Sequence, residues 1–396
     1  MTEPTYTAHP GLATPRAVAA VIWLFAYNGL VVGMYAAAIP ILKTKIGLDT
    51  TRMAILFVVT GVAALITMQV SGRAADRYGA RRACLITFVP LAVAAAGYAL
   101  APTYGWLLAV GVALGVGNGG IDIAMNALAV QVERHRMSQG HGTIMSFFHG
   151  MWALGSFLGS LAVAMVGTVI GLAPARTLLV CGLAVAGLGV AGWFVAWALT
   201  PETEVVPHTT ATGAKAPIPR AAYLMGLMAI AFGLGEGTAS DWSGVHVQTV
   251  AGVDPRVAAW AVTAVTACMV VIRLTGDALV ARLGRRNLVR VGGAVAAAGY
   301  LTTAVFTPFP VIIAGWALVG LGVGVIAPQV YATAGHLAGG RGLAAVSAFG
   351  YTTFLAGPAI IGTLVYFLGI HHTMAVPGLL LVGLVGLAGV AMRDPA

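Results

Sequence analysis

The chain has 396 residues, of which 59% are hydrophobic and only 8% are charged, and its formal net charge is +9. A soluble domain has roughly 25% charged residues, so this composition excludes an ordinary soluble protein. The positive charge is compatible with a nucleic-acid partner, but the positions of the basic residues argue against one.

Long apolar runs follow one another along the whole chain, each close to the roughly 20 residues that cross a bilayer. Their length and all-round apolarity predict helices, because the strands of a membrane barrel would be short and alternating. Twelve runs are found, at 19–41, 53–71, 83–101, 105–131, 142–170, 177–199, 221–248, 256–275, 288–306, 309–334, 342–369 and 373–392. The sequence therefore predicts an all-α integral membrane protein with twelve transmembrane helices.

The basic residues are unevenly distributed between the predicted loops. With the N-terminus placed in the cytoplasm, 15 of the 21 Lys and Arg lie on inner loops and tails, five lie outside, and Arg273 lies within a helix. This bias predicts that both termini are cytoplasmic. Anionic membrane lipid is then the expected neighbour of the basic charge, and no nucleic-acid partner is expected.

The chain resembles itself at an offset of 205 residues. The offset pairs Gly47 with Gly252, Asp49 with Asp254, Arg77 with Arg282, Gly79 with Gly284, and Gly115, Gly117 and Gly119 with Gly320, Gly322 and Gly324. A parallel repeat of this kind predicts two bundles of six helices, at 1–199 and 221–396. The stretch 200–220 is rich in Pro, Thr and Ala, and we expect it to be a flexible cytoplasmic linker.

Four motifs narrow the fold to a family. The turn between the second and third predicted helices, GRAADRYGARR at 72–82, has five charges in eleven residues. The others are GNGGIDIAMN at 117–126, SFFHGMW at 146–152 and GEGTASDW at 235–242. Together with the six-plus-six arrangement, they resemble the major facilitator superfamily, and within it the bacterial branch related to fucose and hexose proton symporters. The resemblance implies a monomeric transporter of the bacterial inner membrane that works by alternating access.

The charged turn is also predicted to form a gate. In the family, its acidic residue is thought to meet the N-terminal dipole of helix eleven across the cytoplasmic seam, and here that helix would start near Arg341. Asp76 and Arg77 are therefore predicted to form a latch that stabilises the outward-open state. Arg273 and Asp277 are spaced to pair within one helix and are expected to belong to the second copy of the loop. The predicted gating residues are Asp76, Arg77, Arg81, Arg273, Asp277 and Arg341.

The fourth predicted helix carries Asn118, Asp122 and Asn126 on one face, because residues four apart share a face. A carboxylate in the bilayer is costly unless it faces a cavity or a partner. Their counterparts at the offset of 205 are Val323, Ala327 and Tyr331. Since the other half lacks the polar face, we expect Asp122 to carry a proton and the two Asn to bind the solute. A structural ion pair or interhelical hydrogen bond is the alternative.

The seventh predicted helix carries a second acidic cluster. Glu236 lies near mid-membrane and is a candidate proton carrier or solute ligand. Asp241 and Trp242 lie about one and a half turns further out. Asp241 is predicted either to line the outer vestibule or to have a structural role at the interface. Trp242 is predicted either to stack on a ligand or to belong to the interfacial aromatic belt.

Further polar residues lie in other predicted helices. His149 and Trp152 share a face of the fifth helix, and His149 either binds a proton or hydrogen-bonds between helices. Asn28 and Gln329 lie at the depth where this fold has its cavity, and each is a candidate solute ligand. These residues complete the predicted solute site.

Other classes of function lack their motifs. The sequence has no phosphate loop, so ATP is not expected to drive the protein directly. The three cysteines lie at no metal-ligand spacing, and no Gly-x-Ser-x-Gly hydrolase motif occurs. We therefore expect no enzyme activity, no cofactor and no metal. A non-transporting sensor or scaffold is a minor alternative, and it would need a soluble domain through which to signal.

Proton-coupled symport of a small solute is the favoured function, and proton-driven efflux is the main alternative. Family antiporters tend to carry a Gly-Pro motif in helix five, but the matching stretch 155–159 has no Pro. Polar, uncharged groups in the predicted cavity suit a neutral, sugar-like solute. An organic anion is disfavoured, since the first half has no mid-membrane Arg to bind it.

Overall fold

The computed structural model describes residues 14–141, 144–199 and 219–392, and every regular element in these ranges is an α-helix. The helices are α1 Pro15–Ile46, α2 Thr50–Tyr78, α3 Ala80–Leu100, α4 Tyr104–Ser138, α5 Met145–Thr168, α6 Pro174–Leu199, α7 Arg220–Val250, α8 Pro255–Val305, α9 Phe309–Thr373 and α10 Ala375–Ala391. Apart from Pro219 and Arg220, the predicted linker lies outside the described residues.

The elements α8 and α9 are too long to be single membrane spans. The 51 residues of α8 would extend about 77 Å, against a hydrocarbon core of about 30 Å. Gly284, with φ 73° and ψ 156°, breaks α8 into two helical parts. In α9, a Cβ on Gly350 would lie 2.8 Å from the hydroxyl oxygen of Tyr331. A straight helix would hold these residues about 28 Å apart, so the chain folds back between them.

The helices have the length and surface of membrane spans. Ten in the described residues are long and apolar enough to cross a bilayer, or eleven if 356–373 and 375–391, which meet at 79°, form one more span. Large apolar side chains point outward, including Ile66 at 61%, Ile86 at 70% and Phe367 at 75% exposure. Such a surface suits lipid rather than water. The all-α membrane class is confirmed, while the count of twelve spans stays a prediction.

Positions that the offset of 205 pairs have the same local backbone. Gly47 and Gly252 have φ of 71° and 64°, and Gly79 and Gly284 have φ of 87° and 73°. Only glycine adopts this left-handed region without strain, which explains the residue type at these turns. The turn residues Asp49 and Asp254 each cap the following helix by accepting a backbone N–H.

Helices α1 and α5 pack with their backbones in contact. A Cβ on Gly29 or Gly33 would collide with a backbone carbonyl of α5, and a Cβ on Gly155 or Gly159 would collide with one of α1. Two small residues four apart on each helix allow this approach, which is a common way of packing helices in lipid. The contact brings the polar residues that flank these glycines to the same depth.

Replacing Gly33 with alanine should destabilise the protein, because the new methyl group would overlap the carbonyl oxygen of Ser156. Overpacking of this kind costs about 1–3 kcal/mol. Gly187→Ala is the matched control, since a Cβ there would meet nothing within 4 Å. Thermal unfolding in detergent should show a lower melting temperature for Gly33→Ala alone. Equal melting temperatures for the two variants would contradict the close packing of α1 on α5.

Candidate functional site

A hydrogen-bonded chain of three side chains links α1, α4 and α5. Asn28 is only 1% exposed. Its Oδ1 accepts from Trp152 Nε1 at 2.5 Å, and its Nδ2 donates to Asn118 Oδ1 at 2.9 Å. The amide of Asn28 is thus oriented by both neighbours. Three residues proposed separately from the sequence as solute ligands lie together.

The carboxylate of Asp122 lies on the same face of α4 as Asn118, one turn away. Asn126 Nδ2 donates to the backbone oxygen of Asp122 at 2.8 Å and to its Oδ1 at 3.3 Å. No ion pair of Asp122 is found in the part of the chain that the structure describes. The carboxylate is therefore partnered by an amide of its own helix.

The second acidic residue of the site is paired with a cation. Arg273 Nη2 on α8 lies 3.0 Å from Glu236 Oε1 on α7, and the two side chains are 13% and 27% exposed. Arg273 Nε also donates to the backbone oxygen of Gly324 at 3.3 Å. The guanidinium carbon lies 5.7 Å from the ring centroid of Trp152. A cation of the second predicted half therefore lies against an aromatic ring of the first.

This pair gives Arg273 a partner on another helix that the sequence analysis did not name. The spacing suggested a pair with Asp277 in the second charged turn, but the guanidinium binds Glu236, 37 residues away along the chain. The side chain of Asp277 is outside the described set. Arg273 thus takes part in the central polar cluster, and its pairing with Asp277 stays a prediction.

His149 and Gln329, two further predicted site residues, have different surroundings. His149 packs edge-on against Phe25, with ring centroids 5.2 Å apart, and it interacts electrostatically with Arg273. Gln329 is buried on α9, at 8% exposure. His149 is therefore near the ion pair, whereas no side-chain contact links Gln329 to the pair among the described residues.

Asp241 and Trp242 lie further along α7, toward the α1–α2 turn, which the predicted topology places outside. Trp242 is 1% exposed and packs edge-on against Phe57 of α2, with centroids 5.5 Å apart. This burial is inconsistent with an interfacial belt position. Asp241 interacts electrostatically with the buried Tyr35 and Tyr98. Both residues therefore lie in the interior rather than at the lipid interface.

A small cavity lies beside Glu236, the acidic member of the ion pair. Its volume is about 10 Å³, and it is lined by Trp152, Ala153, Ser156, Glu236, Ser240, Thr266 and Met269. This is room for about one water molecule. A cavity of about 580 Å³ between α5 and α8 is lined almost entirely by apolar groups such as Phe157, Trp260 and Ile313. Its chemistry suits an acyl chain, so we place the polar site at the smaller cavity.

Contacts between α1 and α7, and between α5 and α8, close the site toward the α1–α2 turn. The hydrogen bonds are Gln248 Nε2 to Thr44 Oγ1 at 2.8 Å, Lys43 Nζ to Thr249 Oγ1 at 3.4 Å, Trp260 Nε1 to Thr168 Oγ1 at 3.2 Å, and Ser160 Oγ with Thr266 Oγ1 at 3.0 Å. A solute larger than water can enter from this side only after such contacts rearrange.

The predicted gating residues have different surroundings. Arg77 is exposed, and its guanidinium carbon lies 5.3 Å from the ring centroid of Tyr78. Arg81 Nη2 donates to the backbone oxygen of Trp197 at 2.9 Å, which ties α3 to α6 within one predicted half. Asp76 is partly buried at the same turn. The side chain of Arg341 lies outside the described set. This contact of Arg81 lies inside the first predicted half, and its role in gating stays a prediction.

Comparison with known proteins identifies the family. The family model described as Major Facilitator Superfamily matches residues 21–254. The chain belongs to the Major Facilitator Superfamily. It is 33% identical over 344 residues to the uncharacterized transporter y4wD of Sinorhizobium fredii, covering 86% of this chain and 89% of that protein. It is also 29% identical over 362 residues to the membrane protein MosC of Rhizobium meliloti, covering 90% and 86%.

Solved structures show the same fold at low sequence identity. The nucleoside transporter NupG matches with a TM-score of 0.68 at 12% identity, covering 96% of this chain and 100% of that one. The transporter FucP, in its outward conformation, matches with a TM-score of 0.64 at 15% identity, covering 97% and 100%. The protein is therefore a multi-pass transporter of small-molecule solutes in the bacterial inner membrane and not an enzyme.

The bridging amide of Asn28 gives a direct test of the site geometry. Asn28→Ala should lower the free energy of unfolding by about 2 kcal/mol, because it leaves the indole N–H of Trp152 and the amide oxygen of Asn118 without their partner. Asn287→Ala is the control, since that exposed side chain bonds only the backbone of its own helix. Chemical unfolding in detergent should separate the two variants, and a neutral Asn28→Ala would contradict the three-residue chain.

Proposed function

We propose that this protein is a proton-coupled symporter that carries a small, hydroxyl-rich, sugar-like solute into the cell by alternating access. The observation that carries the proposal is the Glu236–Arg273 ion pair: Glu236 lines a small cavity, and Arg273 lies over the ring of Trp152. A proton carrier must gain and lose charge where the solute binds, and this pair has a carboxylate at that place.

Glu236 is the main proposed proton carrier. While it is ionised, Arg273 balances its charge, so the pair is neutral as a unit inside the membrane. Protonation would remove that attraction and loosen α7 from α8, which also changes the contact of Arg273 with Trp152. Asp122 is the second proposed carrier and His149 the third, both within the same region of the fold.

The proposed solute ligands are groups that hydrogen-bond without charge. Asn28, Asn118, Asn126 and Trp152 supply amides and an indole N–H, and Ser156 and Ser240 line the cavity. A hydroxyl-rich solute exchanges its hydrogen bonds with water for bonds with these groups, and Trp152 offers a ring face. The proposed solute ligands also include three residues outside the central cluster, namely Asp241, Trp242 and Gln329. The fold neighbour NupG is a nucleoside transporter, and nucleosides are likewise uncharged and hydroxylated.

The proposed architecture is that of two six-helix halves, 1–199 and 221–396, with a cytoplasmic linker at 200–220 and both termini inside. Matching contacts support it. Gly115 packs on the backbone of Thr60. Gly320, 205 residues later, packs in the same way on the backbone of Val265, which also follows Thr60 by 205 residues. Arg286 likewise donates to the Gly389 backbone oxygen at 2.8 Å, as Arg81 does to Trp197. Rocking of one half against the other would open and close the site as a monomer.

Purified protein in liposomes tests the proton coupling. With an imposed pH gradient, a transported hydroxyl-rich solute should drive proton flux, and Glu236→Gln or Asp122→Asn should each abolish it, because neither amide can carry a proton. Asp254→Asn is the control, since this carboxylate lies in the exposed outer turn, where hydrogen bonds from Arg256 hold its pKa below the usual value. Flux that survives both central variants would overturn both assignments, and flux driven only outward would indicate efflux.

The latch at the charged turn is tested by labelling. Asp76→Ala should increase the reaction of a cysteine at position 126 with an impermeant maleimide added from the cytoplasmic side, because the inward-facing state gains population. The three native cysteines are replaced in all variants, and Asp49→Ala, an acidic residue of the α1–α2 turn, is the control. Unchanged labelling would count against a latch at Asp76.

A further inference from the structure

We propose that the transported solute carries a single carboxylate in addition to its hydroxyls, and that this carboxylate replaces Glu236 as the partner of Arg273. The inference rests on the proposed function and names its solute class, a small hydroxylated monocarboxylate. The sequence pointed away from an anion because the first half has no Arg at mid-membrane. The structure supplies that cation from the second half.

The ion pair leaves a hydrogen-bond donor of Arg273 unused among the described residues. Arg273 meets Glu236 by one hydrogen bond, from Nη2 to Oε1. By contrast, the side chain of Arg256 donates two hydrogen bonds to the Asp254 carboxylate, from Nε to Oδ1 at 2.8 Å and from Nη2 to Oδ2 at 3.0 Å. A guanidinium has five N–H donors suited to a forked contact with a carboxylate. Nη1 of Arg273 makes no hydrogen bond within the described ranges, so Arg273 can bind a carboxylate more fully than it binds Glu236.

Charge balance gives the reason for the exchange. When Glu236 takes up a proton, Arg273 is left as a largely buried cation without its counter-charge, at 13% exposure of its side chain. An unpaired charge in the membrane interior is strongly unfavourable. A neutral sugar cannot relieve this cost, whereas a solute carboxylate restores the neutral pair. Proton and anion therefore bind together, which couples their movement.

The number of charges limits the class of solute. Among the described residues, Arg273 is the cation paired with Glu236, and it carries a single positive charge. It can therefore balance one negative charge on a solute, but not the two charges of a phosphate dianion. Trp152 lies under the guanidinium, and Ser156 and Ser240 line the same cavity. These neighbours place hydrogen-bonding groups and a ring face beside the anion. The arrangement fits a carboxylate attached to a hydroxylated chain or ring.

Two further titratable groups interact with the pair in the part of the chain that the structure describes, and Asp122 of α4, the second proposed carrier, lies in the same region of the fold. On α5, His149 interacts with Arg273, and on α8 the hydroxyl of Tyr300, which donates to the Gly235 backbone oxygen, interacts with Glu236. Asp241 lies further along α7. A pH effect on anion binding that depends on Glu236 must therefore be separated from one that depends on His149.

Anion rescue of a variant tests the inference without knowledge of the natural solute. Glu236→Gln mimics the protonated residue and leaves Arg273 without a partner. Gluconate should raise the melting temperature of this variant in detergent and should bind to it about tenfold more tightly than to the wild type at pH 7.5. The uncharged analogue glucitol should do neither. The double variant Glu236→Gln/Arg273→Gln should lose the effect, and His149→Gln in the Glu236→Gln background should keep it.

Two controls keep the outcomes distinct. Asp254→Asn frees Arg256 in the exposed outer turn, and gluconate should not stabilise that variant. If Glu236→Gln folds poorly, the wild type can be titrated instead, and its affinity for gluconate should rise as the pH falls.

Equal binding of gluconate and glucitol, or binding that survives the loss of Arg273, would overturn the anion site. Proton flux driven by glucitol but not gluconate would overturn the anion and leave proton symport standing, whereas gluconate binding without proton flux would overturn the proposed function alone.

Discussion

An ionised carboxylate inside a membrane is costly unless it faces a partner or a cavity, and the contact between Glu236 and Arg273 supplies Glu236 with a counter-charge. The pair holds α7 against α8, and the same guanidinium lies over Trp152 of α5. One charged contact thus joins two helices and reaches a third that the sequence assigns to the other half. Any change in the protonation of Glu236 is therefore felt where the proposed halves meet.

Glycine packing places the groups that surround this pair. Backbone contact between α1 and α5 brings Asn28 next to Trp152, and Trp152 is the ring that Arg273 covers. The hydrogen-bonded chain then continues from Asn28 to Asn118 on α4. The polar site is thus built on rigid helix contacts, and the contacts near Gln248 and Trp260 close it on one side. Movement of whole helices, rather than of loops, is the expected way of opening it.

The sequence predicted the class of fold and the type of protein because both follow from features that are local in the chain. The length of the apolar runs predicts membrane-spanning helices, and turn glycines such as Gly79 and Gly284 repeat at a fixed offset. Helical spacing also placed Asn126 next to Asp122 correctly. It did not indicate the contact of Arg273 with Glu236, because spacing offers only the nearest partner on the same helix, whereas a long, flexible side chain can reach a residue on another helix. The hydrogen bonds of Asn28 were equally out of reach, since they depend on which helix faces pack together.

Difference infrared spectroscopy of the carboxyl groups tests the central claim most directly, namely that Glu236 leaves Arg273 and takes up a proton when the solute binds. The solute added is gluconate, and the spectra compare wild type, Glu236→Gln and Asp122→Asn. We expect gluconate binding to produce the band of a newly protonated carboxyl group in wild type and in Asp122→Asn, and to produce none in Glu236→Gln. A band that persists in Glu236→Gln would show that another group takes the proton and would contradict the account.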